Sequence, residues 1–450
     1  MIGVMIASVR KTVAYFYQHW FVRNMFTLQA GSFIGTFVQG LGGVLLVRIL
    51  QPELYGVYVL AFGVAGLASL FLGAGVQEAS TVLLSESYAK GERERMQEML
   101  AFLVKMSLWG AVLGLLFALA APALTSYWYD DPMIGWYGAL IVIASVVSSL
   151  WFSFVVVSSQ IAGEIRSMAM LTMADQVLRM TLSVILALAG FGVFGAVMGH
   201  LVGSLIVFFV SMKIWQSLRR RYNMFPSLGV LSGLVKRVSI RKYFSFSFWI
   251  TVDRNLATLY AVVPVLLTGF FVSTSEVTFF KLAFGYVNIA LSFLGPVSTL
   301  LNVEFPKMKV ENRDHLADNF SRVTGYGIVL STLLTAAAVV ISPLAFRILY
   351  GPSAEASVPY IFGLFAYGAL FGLGIALGPM WRALNRVKVS ITINVLTLTI
   401  GLPLGLLFLK FWHLWGAVIL VTAWYTVSHL VSFLYLARRL RSIEERPVSV

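Results

Sequence analysis

Charged residues lie inside apolar segments long enough to cross a membrane, and they define the chemistry to be explained. Asp253 and Arg254 are adjacent within the apolar segment 247–271. In the next apolar segment, Lys281 has no acidic residue one helical turn away. A charge at the bilayer centre costs about 3 kcal/mol even on the lenient scale, so such side chains face a bundle interior or a water-filled cavity. A guanidinium and an ammonium in one cavity suit a phosphate or pyrophosphate ligand.

Helical spacing arranges the polar residues of these segments in stripes. Residues three and four positions apart share one helix face. Four stripes follow this rule: Ser247, Thr251, Arg254 and Thr258; Lys281, Gly285, Asn288 and Ser292; Thr172, Asp175, Arg179 and Ser183; and Gln29, Ser32, Thr36, Gln39 and Gly43. The first two stripes predict a cavity lining. The fourth fits equally a packing face of small residues.

Further charges occupy the interiors of other predicted helices. Asp175 and Arg179 are four residues apart, a spacing that predicts an ion pair between them. Lys105 and Glu78 also lie in apolar segments, and Gln77 precedes Glu78. His200 lies near the end of its segment, where a packed histidine is favoured over a proton relay. With four interior cations and three interior anions, the predicted cavity is wet and partly cationic, and its polar stripes also suit sugar hydroxyls.

The composition places the elements that carry these residues in a membrane. The chain has 450 residues, of which 59% are hydrophobic and 12% charged. Soluble domains carry about 25% charged residues. Cysteine is absent, and the five histidines have no metal-ligand spacing. The N-terminal segment lacks the pattern of a cleaved signal peptide. We therefore predict an all-α polytopic membrane protein without a metal site.

Apolar runs of about 20 residues predict twelve transmembrane helices. They cover 24–49, 56–86, 99–122, 135–158, 166–188, 194–217, 243–270, 277–302, 323–346, 358–381, 389–409 and 415–437. With both termini in the cytoplasm, most of the 33 Lys and Arg residues fall on the cytoplasmic side, as the positive-inside rule requires. The net charge of +14 is then explained without nucleic acid, and the basic inner loops are predicted to contact anionic lipid headgroups.

An internal repeat divides the chain into halves. "LAFGVAGLASLFLG" (60–73) matches "LAFGYVNIALSFLG" (282–295), and "FGAV" (194–197) matches "WGAV" (415–418) at nearly the same offset. Two matches at one offset predict two six-helix lobes related by an axis along the membrane normal, with a site between them near mid-membrane. The predicted division is an N-lobe at 1–217, a basic cytoplasmic linker at 218–242, a C-lobe at 243–437 and a cytoplasmic tail at 438–450.

The segment 45–79 resembles a known family. Its core, Arg-x-Leu-x-Pro-x-x-Tyr-Gly, resembles the first hairpin of bacterial polysaccharide flippases, the O-antigen and exopolysaccharide translocases of the multidrug/oligosaccharidyl-lipid/polysaccharide (MOP) exporter superfamily. "TVDRNLATLY", "FPKM", "AFRILYGPSAEASVPYIFGLF" and "ALNRVKVSITINVL" extend the likeness into the second half. The core is carried by Arg48, Leu50, Pro52, Tyr55 and Gly56.

The resemblance implies a V-shaped, MATE-like transporter in the bacterial inner or plasma membrane. It implies that an undecaprenyl-pyrophosphate-linked oligosaccharide moves from the cytoplasmic to the external leaflet by alternating access. Na⁺ or H⁺ is then the expected coupling ion, and no other cofactor is expected. Membrane lipids, a polysaccharide polymerase and glycosyltransferases are the expected partners of a monomer. The expected substrate residues are Arg254, Lys281, Arg179, Lys105, Asn255, Asn288, Gln29 and Thr251, and the expected ion-coupling carboxylates are Asp253, Asp175 and Glu78.

Three alternatives fit the residues less well. A multidrug or cation antiporter of the same superfamily would be expected to carry more interior acid than base. A major-facilitator carrier usually has a Gly-rich basic loop between helices 2 and 3. The corresponding segment of this sequence, "SESYAKGERERMQEM" (85–99), does not fit that pattern. A membrane enzyme of glycan assembly is disfavoured by the short predicted external loops and by the lack of paired carboxylates near an external helix end. No phosphate-binding loop for ATP is present, so direct use of ATP is not expected. The prediction is a transporter, not an enzyme, with no catalytic residues.

Overall fold

The fold is helical throughout the part of the chain that the structure describes. A computed structural model describes residues 20–72, 74–311 and 315–444, and it contains no strand in these ranges. In a bilayer each backbone polar group must be satisfied within its own segment, so an apolar chain of this kind folds as helices. The predicted all-α membrane architecture is confirmed.

Fifteen α-helices follow one another in the described residues. They are α1 Trp20–Ser69, α2 Ala74–Ala89, α3 Arg93–Tyr129, α4 Pro132–Ile161, α5 Ile165–Leu186, α6 Gly192–Arg221, α7 Leu228–Arg237, α8 Ile240–Thr268, α9 Thr274–Ser292, α10 Gly295–Glu311, α11 Leu316–Leu349, α12 Val358–Gly363, α13 Phe365–Leu370, α14 Leu377–Ala383 and α15 Val387–Glu444. A π-turn, Ala187–Phe191, joins α5 to α6, and 3₁₀ turns lie at Pro352–Ser357 and Phe371–Gly374.

Polar caps fix where two of the membrane helices begin. Asp131 caps α4, because its carboxylate accepts a hydrogen bond from the Met133 backbone nitrogen at 2.8 Å. Ser273 and Glu276 form a capping box at the start of α9. Each cap satisfies backbone N–H groups that the helix leaves without internal partners. Both helices therefore start at the short turns that the sequence predicts.

Seven described helices are long and apolar enough to span a membrane, or nine if two bent pairs each count as one span. Helices α1 and α15 each contain a break, and a third break lies in the π-turn between α5 and α6; the sequence predicts a turn at all three positions. The breaks are at Gln51 (φ 60°), Gly190 (φ 94°) and His413 (φ 47°). The exact number of twelve spans stays a prediction.

The chain forms two compact units. The first contains 1–49, 68–126 and 131–251, and the second contains 50–67, 127–130 and 252–450. The second unit therefore includes two segments that the sequence assigned to the N-lobe. One of them is held by the Thr278 hydroxyl, which donates to the Pro52 carbonyl at 2.6 Å. The division into lobes at 1–217 and 243–437 stays a prediction.

Local backbone geometry repeats between the two matching segments of the sequence. Gly192 has φ 55° and ψ −138°, and His413, 221 residues later, has φ 47° and ψ −126°. Three residues after each of them, Gly195 and Gly416 pack so closely that an added Cβ would overlap the backbone of the preceding helix, at Leu186 and at Phe408 respectively. The same glycine-dependent hairpin is thus built twice, at the offset of the sequence repeat.

The predicted basic linker at 218–242 consists of the end of α6, a short loop, α7 and the first residues of α8. The loop begins at Tyr222, and the carboxylate of Glu164 accepts hydrogen bonds from Tyr222 and Arg221 at 3.1 and 3.0 Å. Burial and the bond to Glu164 raise the pKa of the Tyr222 hydroxyl. The predicted position of this linker along the inner membrane surface stays a prediction.

Candidate functional site

The Lys281 stripe lies on α9 and faces open space over part of its length. A Cβ added to Gly285 would meet no heavy atom within 4 Å. Further along the stripe, Asn288 and Ser292 line a cavity of about 370 Å³. Lys281 is half-buried, and no hydrogen bond or ion pair joins it to any residue that the structure describes. An interior ammonium group without a counter-ion in the described residues is a candidate ligand for an anion.

Asn288 is fixed in place by a buried tyrosine. Its side-chain Nδ2 donates to the Phe284 carbonyl at 2.8 Å, and its Oδ1 accepts a hydrogen bond from the Tyr367 hydroxyl at 2.8 Å. Tyr367 lies in the short helix α13 and is 1% exposed. Since both hydrogen bonds restrain the amide, it is positioned before any ligand arrives.

A second cavity, of about 230 Å³, lies among α8 and the two arms of α15. Its polar lining includes Asp253, Tyr260, Asn394 and Ser428. The break at His413 lets α15 fold back, so that the Ser428 hydroxyl donates to Asn394 Oδ1 at 2.6 Å across 34 residues of sequence. The Tyr260 hydroxyl donates to the Asn394 carbonyl at 3.2 Å. Carboxylate, amide and hydroxyl oxygens are ligands for a hard cation.

Tyr425 and His429 line both cavities. The ring of Tyr425 lies 4.9 Å from Tyr367 and 5.5 Å from His429, centroid to centroid. The Nδ1 atom of His429 is buried and has no hydrogen-bond partner among the described residues. The two cavities and the residues named around them therefore form one polar cluster inside the second unit, and Lys281 lies on the same stripe of α9 as Asn288 and Ser292.

The other predicted residues of α8 lie beside this cluster in sequence. Arg254 is exposed and Asn255 is half-buried, and neither lines the two cavities. Thr251 belongs to the first unit, and its hydroxyl donates to the Ser247 carbonyl at 2.8 Å. Of the predicted ligand residues, Asn288 lines a cavity and Lys281 shares its stripe, while Asp253 is the predicted coupling carboxylate that lines a cavity. A ligand-binding role for each of them stays a prediction.

In the first unit, Arg179 and Asp175 form the ion pair that their spacing predicts, and this prediction is confirmed. The Arg179 guanidinium also donates to the Ser148 hydroxyl at 2.6 Å, while its Nε is buried without a partner among the described residues. The close approach of α6 at Gly203 covers this pair from one side, because a Cβ there would meet the Arg179 backbone at 2.8 Å. In the structure Arg179 is engaged by the protein itself.

Lys105 is also engaged by the protein. Its ammonium donates to the Val238 carbonyl at 2.7 Å, which ties α3 to the residue after α7. This contact could not be predicted from the sequence, because the two residues are 133 positions apart. The side chains of Gln29 and Glu78 lie outside those that the structure describes. A substrate role for Lys105, Arg179 and Gln29, and an ion-coupling role for Glu78, stay predictions.

Sequence reasoning missed the neutral polar residues of the cluster. They are Tyr260, Tyr367, Asn394, Tyr425, Ser428 and His429. The signal was present for α15, since Asn394 and the pair Ser428–His429 interrupt apolar segments in the same way as the charges do. The amide of Asn394 and the imidazole of His429, inside the last two predicted spans, are therefore visible in the sequence as candidates, whereas the tyrosines are not.

The fold is that of the MATE and MOP transporters. An inward-facing multidrug resistance MATE family transporter of the MOP superfamily superposes with a TM-score of 0.72 at 16% identity, covering 92% of this chain and 96% of that one. An outward-facing structure of a MATE family transporter gives 0.67 at 15% identity, with 94% and 97% covered. The lipid II flippase MurJ gives 0.65 at 14% identity, with 92% and 87% covered.

The family follows from the sequence. The model of a family described as polysaccharide biosynthesis protein matches residues 45–382, which is most of the chain, and the protein belongs to this family. No curated protein matches it significantly. The family match confirms the predicted relation to polysaccharide biosynthesis proteins, and the likeness to the solved structures confirms the predicted MATE-like fold.

Proposed function

We propose that this protein is a flippase for lipid-linked oligosaccharides. Its substrate is a polyprenyl-pyrophosphate-linked repeat unit, undecaprenyl in bacteria, which it moves from the cytoplasmic to the external leaflet by alternating access. The family of polysaccharide biosynthesis proteins and the likeness to a lipid II flippase support this proposal. The role is transport and not catalysis. The protein acts in the bacterial inner or plasma membrane as a monomer with cytoplasmic termini, alongside a polymerase and glycosyltransferases.

Lys281 carries the proposal. A half-buried ammonium without a described counter-ion is unfavourable in a membrane, unless a ligand supplies the negative charge. A pyrophosphate does so, and its oxygens accept strong charge-assisted hydrogen bonds. In this mechanism Lys281 and Arg254, both in the second unit, hold the pyrophosphate. Asn255 adds hydrogen bonds from α8.

The glycan is proposed to contact the polar cluster. The larger cavity, of about 370 Å³, falls in the range of roughly 300–1,000 Å³ that is usual for small-molecule sites. Asn288 and Ser292 present an amide and a hydroxyl to it, and Phe371 and Tyr425 present aromatic surface. This mixture of hydrogen-bonding and flat apolar groups suits a sugar ring.

Ion coupling is assigned to Asp253. Of the three predicted carboxylates, Asp175 is already paired with Arg179, whereas Asp253 lines a cavity with the oxygens of Asn394 and Ser428. These three side chains have the oxygen donors that Na⁺ prefers, and the carboxylate alone could carry a proton. In either case an inward ion gradient would be linked to substrate movement through α8, which also carries Arg254.

The test uses a strain that lacks the gene and measures the leaflet on which completed lipid-linked repeat units lie. We expect the wild type to clear them from the cytoplasmic leaflet. The double variant Arg254→Ala, Lys281→Ala should be at least tenfold slower, and Asp253→Asn should lose its response to the Na⁺ or H⁺ gradient. Lys281→Arg keeps the charge and should retain most activity. Arg347→Ala, at the end of α11, is the control for loss of an exposed charge.

Two outcomes would change the proposal in different ways. Full activity of the double variant would retain the flippase and discard the cationic site. If no repeat units accumulated in the deleted strain, with the assembly pathway active and no second flippase present, the flippase itself would be wrong. The carboxylate of Asp253 in the smaller cavity would then favour a cation antiporter. Efflux of organic cations from the same strain would test that alternative.

A further inference from the structure

A polar cavity of about 360 Å³ lies in the first unit, far in sequence from the proposed substrate residues. It forms where the start of α3, the end of α6 and the loop before α7 meet. We call it the linker cavity. Its lining consists of Arg93, Gln97, Arg219, Asn223, Phe225, Pro226, Ser227 and Val230.

The linker cavity carries positive charge that the described protein does not neutralise. Arg93 and Arg219 are both exposed, and neither forms an ion pair with a carboxylate in the described residues. Two carboxylates on the same elements are engaged by other arginines: Glu92 pairs with Arg95 at 3.1 Å, and Glu164 pairs with Arg221 at 3.0 Å. Two guanidinium groups lining one cavity are the usual arrangement for a phosphate.

The floor of the linker cavity is rigid. Phe225 is 3% exposed, and its ring centroid lies 5.5 Å from that of Trp215 and 6.3 Å from that of Tyr88. The side-chain Nε2 of Gln97 donates a hydrogen bond to the Met224 carbonyl at 3.3 Å. Because the loop is anchored in the core, the cavity does not have to be formed on binding, which lowers the cost of association.

The start of α7 relates the linker cavity to the membrane. Leu231 faces the protein core, whereas Leu228 and Val230 are 42% and 49% exposed. The same short helix ends in Lys236 and Arg237. Apolar side chains exposed beside basic ones are typical of a helix that lies in the headgroup region. Val230 itself lines the cavity, so the two arginines lie close to this apolar edge.

We propose that the linker cavity binds a phosphate group, and the exposed apolar edge favours the phosphate of an anionic phospholipid in the leaflet predicted to be cytoplasmic. Arg93 and Arg219 supply the charge, and Gln97, Asn223 and Ser227 lie where they can donate hydrogen bonds. A soluble phosphate is the other source of the same chemistry. This proposal is independent of the proposed substrate and of the polar cluster in the second unit.

The experiment measures binding of short-chain phosphatidylglycerol to the purified full-length protein by native mass spectrometry. The test variant is Arg93→Gln, Arg219→Gln. The matched control is Arg95→Gln, Arg221→Gln, which removes the same charge from the same two helices but takes arginines that are already paired. We expect at least a tenfold loss of affinity in the test variant and less than a twofold change in the control. Unchanged elution and melting without lipid establish that both variants fold.

Competing ligands distinguish the two sources. Phosphatidylglycerol should bind more tightly than phosphatidylcholine, and millimolar inorganic phosphate should displace it only in the proteins that retain Arg93 and Arg219. If inorganic phosphate alone bound as tightly as the lipid, the site would hold a soluble phosphate. Equal losses in the test and control variants would reduce the effect to general surface charge and would overturn the proposal, as would undiminished lipid binding by the test variant.

Discussion

The two units handle interior cations in opposite ways. In the first unit, Arg179 has its counter-ion Asp175 on the same helix and a second partner in Ser148. In the second unit, Lys281 has no partner among the described residues and lies on a stripe that opens to space at Gly285. Both residues interrupt apolar helices, and the spacing to an acidic residue already distinguishes them in the sequence. The structure shows that the protein itself neutralises Arg179, whereas the charge of Lys281 is left for a ligand to neutralise.

The difference extends to how closely the helices pack. An added Cβ at Gly199 of α6 would overlap the backbone of α5 at Ser183, and one at Gly203 would meet the backbone at Arg179. A Cβ added at Gly285, one helical turn from Lys281, would meet no heavy atom within 4 Å. The first arrangement packs the helix that carries the ion pair tightly against α6, and the second leaves open space on the helix face that carries Lys281. Interior charge is therefore informative about function only together with its partners and its free space.

The largest effect on stability is expected when the ion pair is broken. Asp175→Ala leaves the Arg179 guanidinium uncompensated in a site where the two side chains are 21% and 16% exposed. We expect the free energy of unfolding to fall by roughly 3 kcal/mol, which is the lower end of the range for buried ion pairs that lose one partner. Lys281→Met, which removes a cation without a described partner, should leave stability unchanged or raise it. Thermal unfolding of the purified variants checks both, and equal destabilisation by the two would remove the distinction.

A smaller effect is expected from the glycines. Gly199→Ala should destabilise the protein by about 1–3 kcal/mol, because α6 must move away from α5. Gly285→Ala should be neutral or slightly stabilising, as is usual in a helix with free space. Gly285→Leu then tests the cavity: it should leave the melting temperature unchanged and slow lipid-linked glycan transport. Normal transport by a folded Gly285→Leu protein would argue against a ligand on this face.

The smallest effect concerns the hairpin that both halves share. Gly192 and His413 have nearly the same positive φ, a conformation that strongly favours glycine. We expect His413→Gly to stabilise the protein by about 1 kcal/mol and Gly192→Ala to destabilise it by about the same amount. Opposite shifts in melting temperature would show that the two turns follow one rule. If both substitutions shifted the melting temperature in the same direction, the two turns would share a backbone geometry but not the same energetic preference for glycine.

The sequence was most informative about features that depend on local pattern. Apolar runs located the membrane helices, and the spacing of Asp175 and Arg179 predicted their ion pair. The repeat at 194–197 and 415–418 indicated a duplication, and the backbone at Gly192 and His413 agrees with it. Each of these features is determined by residues close together in the chain or by sequence identity between two segments.

The sequence was least informative about contacts between distant segments. The amide of Asn394 meets the Ser428 hydroxyl only because α15 reverses direction at His413. Lys105 looked like a cavity residue, and its bond to the Val238 carbonyl depends on where the linker returns to the bundle. Neutral side chains such as Tyr367 and Ser428 carry no charge signal, so their place in the polar cluster could not be predicted from composition or periodicity.

The hydrogen bond between Thr278 and Pro52 has a consequence for synthesis. The two residues are 226 positions apart, and the segment 50–67 packs with partners that the ribosome delivers much later. At about 5–20 residues per second, this segment waits roughly 10–45 s after its own translation before Thr278 exists. During that interval its packing surface, including Gly56, which later fits against the Thr274 carbonyl, is available to lipid, to insertion factors and to quality-control proteases. The first half of the nascent chain therefore depends on the membrane insertion machinery until the second half has been translated.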